Sequence, residues 1–207
     1  MEDVLEQYAA PDDPLRPLVC VDELPYQLVS EVRAPQPAAP GQLERYDYEY
    51  RREGTCNLFV FFAPRRGWRH VEVTEHRTAV DFAAQLRWLA DEAFPEAEVI
   101  RVVLDNLSTH TPAALYEAYA PEEARRIVEK LEFHYTPKHG SWLNMVEIEL
   151  GVLSRQCLER RLGAIEVVRR EVAPWEQQRN EARATVNWRF QINDARIKLS
   201  HLYPSQS

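Results

Sequence analysis

The chain has 207 residues, 45% of them hydrophobic and 28% charged, proportions that suit one ordinary globular domain, alone or with a helical appendage. No stretch reaches the roughly 20 apolar residues of a membrane span, and Met1-Glu2-Asp3-Val4-Leu5-Glu6 lacks the basic-then-apolar order of a secretory signal, so a cytoplasmic location without a membrane partner is expected. A formal net charge of −8 argues against a freestanding nucleic-acid binder and leaves only local basic clusters: Arg51-Arg52, Arg65-Arg66 with Arg69, Lys138-His139, and Arg155 with Arg160-Arg161.

In chain order, residues 1–17 are acidic and proline-containing without clear periodicity, and read as a lead-in segment. Residues 18–22 read as a buried strand that ends at Asp22. Pro35, Pro37 and Pro40 make 32–41 an extended loop. Tyr46, Tyr48 and Tyr50 alternate with polar residues, which predicts a strand with one aromatic face. Gly54 then marks a turn, 55–62 and 68–74 read as strands joined by a turn at 64–67, and the whole is an antiparallel meander. From Thr78 the apolar spacing becomes helical up to Phe94-Pro95. Residues 99–104 form a continuous apolar strand, interrupted only by Arg101, that ends at Asp105.

Two helical pieces, 112–119 and 122–131, lead to a short strand at 132–135 and a loop at 136–141. A helix over 143–159 follows, with Met145, Ile148, Val152, Leu153 and Leu158 on its apolar side. Residues 165–184 predict another helix, interrupted or restarted at Pro174, before a short packed tail. Cys20, Cys56 and Cys157 are odd in number, far apart and set in apolar patterns, as reduced core thiols are.

Asp22, Asp105 and Glu147 stand out as a set. Taken singly, each acid reads as a turn or surface residue. Two acids at strand carboxyl ends and one on a helix, however, can converge where α/β sheets place their ligands. That arrangement suits two divalent cations at a phosphodiester. On the predicted helix Asn144 and Glu147 share a face, whereas Glu149 lies about 200° around from Glu147, so only one of the two glutamates faces the cations. Glu147 is preferred and Glu149 is the lesser alternative.

Val21-Asp22-Glu23, Leu104-Asp105-Asn106 with His110, and the segment from Tyr135-Thr136-Pro137-Lys138-His139-Gly140 to Ser141-Trp142-Leu143-Asn144-Met145-Val146-Glu147 resemble the catalytic domain of DDE transposases. The likeness is specifically to bacterial insertion-sequence members of the Tc/mariner superfamily, and it runs from about residue 18 to Leu202-Tyr203-Pro204. It implies an α/β, ribonuclease H-like fold with a mixed five-stranded sheet flanked by helices. The domain would span 18–162, with a C-terminal helical extension over 163–207. Asp22, Asp105 and Glu147 would bind two Mg²⁺ ions, with Mn²⁺ as a substitute, and catalyse hydrolysis at a transposon end followed by strand transfer into target DNA.

Around that triad the readings stay double. His110 contacts DNA phosphate, orients Asp105, or is a polar helix-start residue. Asn106 is a turn former or supports the metal site. Lys138 is part of a local basic cluster, and Trp142 with His139 brackets a nucleotide unless Trp142 anchors the core. The separation of 41 residues between Asp105 and Glu147 is longer than the family norm and is placed in a helical insertion over 116–130. The family's helix-turn-helix region has no counterpart here, so the chain reads as a catalytic half needing a DNA-binding half in cis or in trans, and homodimeric in synapsis. A regulatory remnant that pairs with full-length transposase is the alternative. A ribonuclease H-like nuclease acting on hybrids or junctions ranks below both.

Overall fold

The computed structural model describes residues 1–34, 36–43, 45 and 47–203. Its centre is a mixed sheet of five strands in the order β3-β2-β1-β4-β5. These are β1 (Leu18–Glu31), β2 (Tyr50–Ala63), β3 (Trp68–Thr74), β4 (Ile100–Leu104) and β5 (Leu131–Tyr135). The first three pair antiparallel, but the meander is not the expected one: Gly54 makes no turn and lies within β2, beside the register shift at Leu28/Val29, while β4 lies parallel to β1 and β5 parallel to β4.

Period-two alternation divides these strands between two apolar layers. Val19, Val21, Phe59, Phe61, Val102 and Leu104 face α2 (Ala79–Trp88), α3 (Ala113–Ala118) and α4 (Pro121–Glu129). Cys20, Leu58, Val60, Phe62 and Val103 face the other layer. That layer is built from α1 (Glu2–Ala9), α5 (Val146–Leu153), α6 (Ile165–Glu181) and α7 (Ile192–Lys198). The three cysteines are free and buried. Among the described residues no helix is long and apolar enough to cross a membrane.

Local signals explain most helix starts. Thr78 caps α2 through a reciprocal pair, its hydroxyl accepting from the Asp81 backbone N–H and the Asp81 carboxylate accepting from the Thr78 N–H. Pro121 opens α4 at a position where a missing N–H costs nothing. The helix that begins at Ala79 widens to π geometry over Leu89–Ala93 before Pro95.

Several expectations need correction. Strand β1 does not end at Asp22 but runs on to Glu31, because β2 keeps pairing with it after β4 has diverged at Cys20. Strand β2 begins only at Tyr50; Tyr48 is exposed and Tyr46 lies outside the described residues, as do Pro35 and Pro204. The 143–159 helix starts late, at Val146, after a short 3₁₀ turn over Ser141–Leu143, and Ile148 faces solvent. Helix α6 passes through Pro174 without a break. Residues 1–17 contain a helix, α1, whose Val4, Leu5 and Tyr8 are buried in the core. Three apolar positions in eight residues gave its short amphipathic pattern too little length to register.

Two polar devices lock the α5 side of the sheet. Fully buried Arg69 on β3 donates from Nε to Glu149 Oε2 at 3.2 Å, and Arg179 of α6 donates to the same carboxylate at 2.7 and 3.1 Å. Arg69 also donates to the carbonyls of Gly67 and Arg179, and Asn180 exchanges hydrogen bonds with its backbone. A Cβ on Gly67, at φ +60°, would stand 2.5 Å from the Arg183 backbone, so only glycine lets this turn meet the end of α6. On the other side, the Tyr8 hydroxyl donates to the Leu143 carbonyl at 2.6 Å and accepts from the Met145 N–H at 3.3 Å.

Glu149→Ala, which strands a buried guanidinium, is expected to lower the unfolding free energy by about 3–5 kcal/mol in urea denaturation, whereas Glu147→Ala changes it by less than about 1 kcal/mol. Tyr8→Phe, which leaves two buried backbone groups short of a partner, is expected to cost about 1–3 kcal/mol in the same measurement.

Candidate active site

The parallel pairing of β1 with β4 aligns Leu18 with Arg101 and Cys20 with Val103 and stops there, so Asp22 and Asp105 each follow the last paired position by two residues. Both acids therefore sit where the two strands part, at the carboxyl end of the parallel portion of the sheet. Asp22 points to the α5 face, since its register partner Val60 belongs to that layer. Its Oδ1 accepts the Glu23 backbone N–H at 2.7 Å. Burial, together with the charges of Glu147 and Asp105, pushes the Asp22 carboxyl up to about 7 against the lowering effect of that hydrogen bond.

Glu147 occupies the first turn of α5 and is half-buried. Its placement follows from Asn144, which lies outside the helix and is fully buried, with Nδ2 donating to the Val21 carbonyl at 2.9 Å. One hydrogen bond thus ties the entry to α5 to the strand residue preceding Asp22. Asn144 does not share a helix face with Glu147, so that ground for preferring Glu147 to Glu149 falls away. A different one replaces it: Glu149 is 1% exposed and is engaged by Arg69 and Arg179, while Glu147 has no basic partner among the described residues.

Asp105 follows β4 directly, and its Oδ1 meets His110 Nδ1 at 2.5 Å and accepts the Leu107 N–H at 3.3 Å. The hydrogen bond from His110 holds the Asp105 carboxyl below its ordinary value. On the far side of the ring, His110 Nε2 lies 3.0 Å from Glu23 Oε1. Burial alone would lower the imidazole pKa, but the hydrogen bonds and charges of Asp105 and Glu23 outweigh it and raise His110 to about 9. Both ring nitrogens then donate. Glu23 was quoted in the sequence motif without a role. Only the alternation of strand faces hinted that it points away from Asp22.

The remaining candidates are dispersed. Asn106 is exposed. Lys138 and His139 are exposed on the loop before α5, where His139 takes a φ of 62°. Trp142 is 46% exposed and meets Phe190 edge-on at 5.4 Å, so it is only partly committed to packing. Of the basic clusters, Arg69 is buried in the core, Arg160 pairs with Glu171, and Arg161 pairs with Glu31.

Among the described residues, no three His, Cys, Asp or Glu side chains are gathered tightly enough to hold an ion as they stand. Mutual repulsion of carboxylates keeps such a set apart until a cation draws it in. The donor chemistry nevertheless fits Mg²⁺ or Mn²⁺. Asp22, Asp105 and Glu147 offer hard oxygen ligands, and the charges of the other two already act on the buried Asp22.

Known structures resemble this chain in fold. Among solved structures, the Mos1 mariner paired end complex with Mn is similar with a TM-score of 0.57 and 21% identity, over 87% of this chain and 54% of that one. The Mos1 strand transfer complex matches with a TM-score of 0.57 and 18% identity, over 84% and 51%. The Mos1 transposase paired-end complex with left transposon end gives 0.55 and 21%, again over 84% and 51%. The chain spans about half the length of these proteins, and the likeness is one of fold, which is ribonuclease H-like. No curated protein matches the sequence. A family model described as DDE superfamily endonuclease matches residues 17–169, a span that takes in Asp22, Asp105 and Glu147 and most of the chain, and the chain therefore belongs to the DDE superfamily endonucleases.

Proposed function

We propose that this chain cleaves DNA and joins strands at the ends of a mobile element, with Asp22, Asp105 and Glu147 holding two Mg²⁺ ions for which Mn²⁺ can substitute. The observation that carries the reading is the tying of all three acids to one place on β1: His110 joins Asp105 to Glu23, next to Asp22, and Asn144 joins the entry of the Glu147 helix to Val21. Bound there, the cations favour deprotonation of the attacking water or 3′-hydroxyl and offset charge on the phosphoryl oxygens. The chain's own contribution is placement. His110 orients Asp105 from behind, and Asn144 sets the approach of α5 to β1.

Lys138, His139 and Trp142 on the exposed loop before Glu147, and Asn106 beside Asp105, are assigned to the DNA backbone and its bases. The acidic balance of the chain puts sequence-specific grip elsewhere. We assign it to a helix-turn-helix part acting in cis or in trans, with two copies synapsing the element ends. We assign the element to the bacterial insertion-sequence class on the likeness of the motifs around the three acids. A regulatory remnant is the weaker reading, since the three acids and the residues that place them are all present.

On a nicked or blunt element-end duplex, Asp22→Asn, Asp105→Asn and Glu147→Gln are each expected to reduce Mg²⁺-dependent cleavage by about 10³-fold or more, roughly 4 kcal/mol of barrier. Wild-type rates in any of the three would remove that residue from the site. Mn²⁺ at about 100 times its Kd is expected to stabilise the wild type by about 2.7 kcal/mol and Asp105→Ala by much less, read as a shift in thermal midpoint.

A further inference from the structure

We propose that Glu23 is a positioning residue for the metal site: acting through His110, it fixes Asp105 relative to Asp22, its own neighbour in the chain. The proposal rests on the reading of Asp105 as a ligand of a divalent cation. It begins from strand geometry. Successive residues of β1 point to opposite faces, so Asp22 turns to the α5 side and Glu23 to the α2 side, where its register partner Phe59 belongs to the apolar layer.

A carboxylate in that layer is costly unless it is paired. The Glu23 side chain is 3% exposed; one oxygen meets His110 Nε2, and the other, Oε2, has no hydrogen-bond partner among the described residues, with Arg77 Nη1 at 3.6 Å. What Glu23 supplies is a fixed acceptor for one side of the His110 ring.

The ring is held on every side. Its face packs on Phe82 at 4.5 Å between centroids, its backbone N–H donates to the Leu107 carbonyl, and its carbonyl accepts the Tyr135 hydroxyl at 2.9 Å. Glu23 at Nε2 then sets the rotation of the ring and directs Nδ1 at Asp105 Oδ1. Asp105 needs such support, because it stands just beyond the last residue of β4 with a third of its side chain in solvent. With Oδ1 committed to His110 and the Leu107 N–H, Oδ2 is the oxygen left for a cation. The Asp22-Glu23 dipeptide therefore sends one carboxylate to the metal and uses the other to hold the second ligand in step.

The test is Mn²⁺ binding by isothermal titration calorimetry, with the stability of each metal-free protein measured in parallel. Glu23→Met, which fills the layer but leaves His110 Nε2 without an acceptor, is expected to lower metal-free stability while still folding, and to weaken Mn²⁺ binding about 10–100-fold, the usual effect of losing a group that orients a ligand. Glu23→Gln keeps an acceptor for His110 and is expected to recover most of the affinity. Glu23→Ala serves as a second variant, with the same loss of affinity as Glu23→Met. If Asp105→Ala abolishes binding while the folded Glu23→Met or Glu23→Ala protein binds Mn²⁺ like the wild type, the proposal alone is overturned. If Asp105→Ala itself binds like the wild type, the reading of Asp105 as a ligand falls and the proposal falls with it.

Discussion

Strand β1 pairs in two senses at once, antiparallel to β2 along most of its length and parallel to β4 for only three residues. That brief parallel contact sets the register between the chain's first and second acids. Past Cys20 and Val103 the ladder between the two strands ends, and the Asn144 side chain takes up the Val21 carbonyl just beyond it. A one-residue slip in this pairing would turn Asp22 into the α2 layer and Glu23 toward α5, so the apolar alternation that fixes the register also fixes the chemistry.

Charge is unevenly used in this acidic chain. Asp22, Glu23, Asp105 and Glu149 divide by partner. Glu149 is met by two arginines and ties α5 to β3 and α6. Glu23 and Asp105 share one imidazolium. Among the described residues Asp22 has only a backbone N–H as a hydrogen-bond partner, and it feels the repulsion of its neighbours. The first arrangement is complete as it stands and favours rigidity. The last leaves negative charge unbalanced at the mouth of the sheet, which is the condition for drawing in a cation.

The strands were legible in the sequence because their apolar runs are long and their turns carry Pro or Gly, as at 64–67. Asp22 and Asp105 stand out in the sequence because each closes or follows an apolar run. What periodicity does not carry is a contact made across the chain. Arg69 lay inside a basic cluster and read as surface, yet its partner Glu149 is 80 residues away. Asn144 was read as a helix residue; its side chain instead replaces a strand neighbour at Val21, a role that has no local pattern. Glu23 was visible only as the second letter of a motif, since nothing in a single sequence says that His110 returns to meet it.

Helix α1 illustrates how a segment remote in the chain joins the site. Its Tyr8 hydroxyl grips both sides of Asn144, at the Leu143 carbonyl and the Met145 N–H. Its far end is held to α7 by Glu2 and Arg196. Because Val4 and Leu5 are buried in the same apolar layer as α5, the steadiness of the turn that enters α5 depends on the docking of a helix lying 135 residues earlier in the chain.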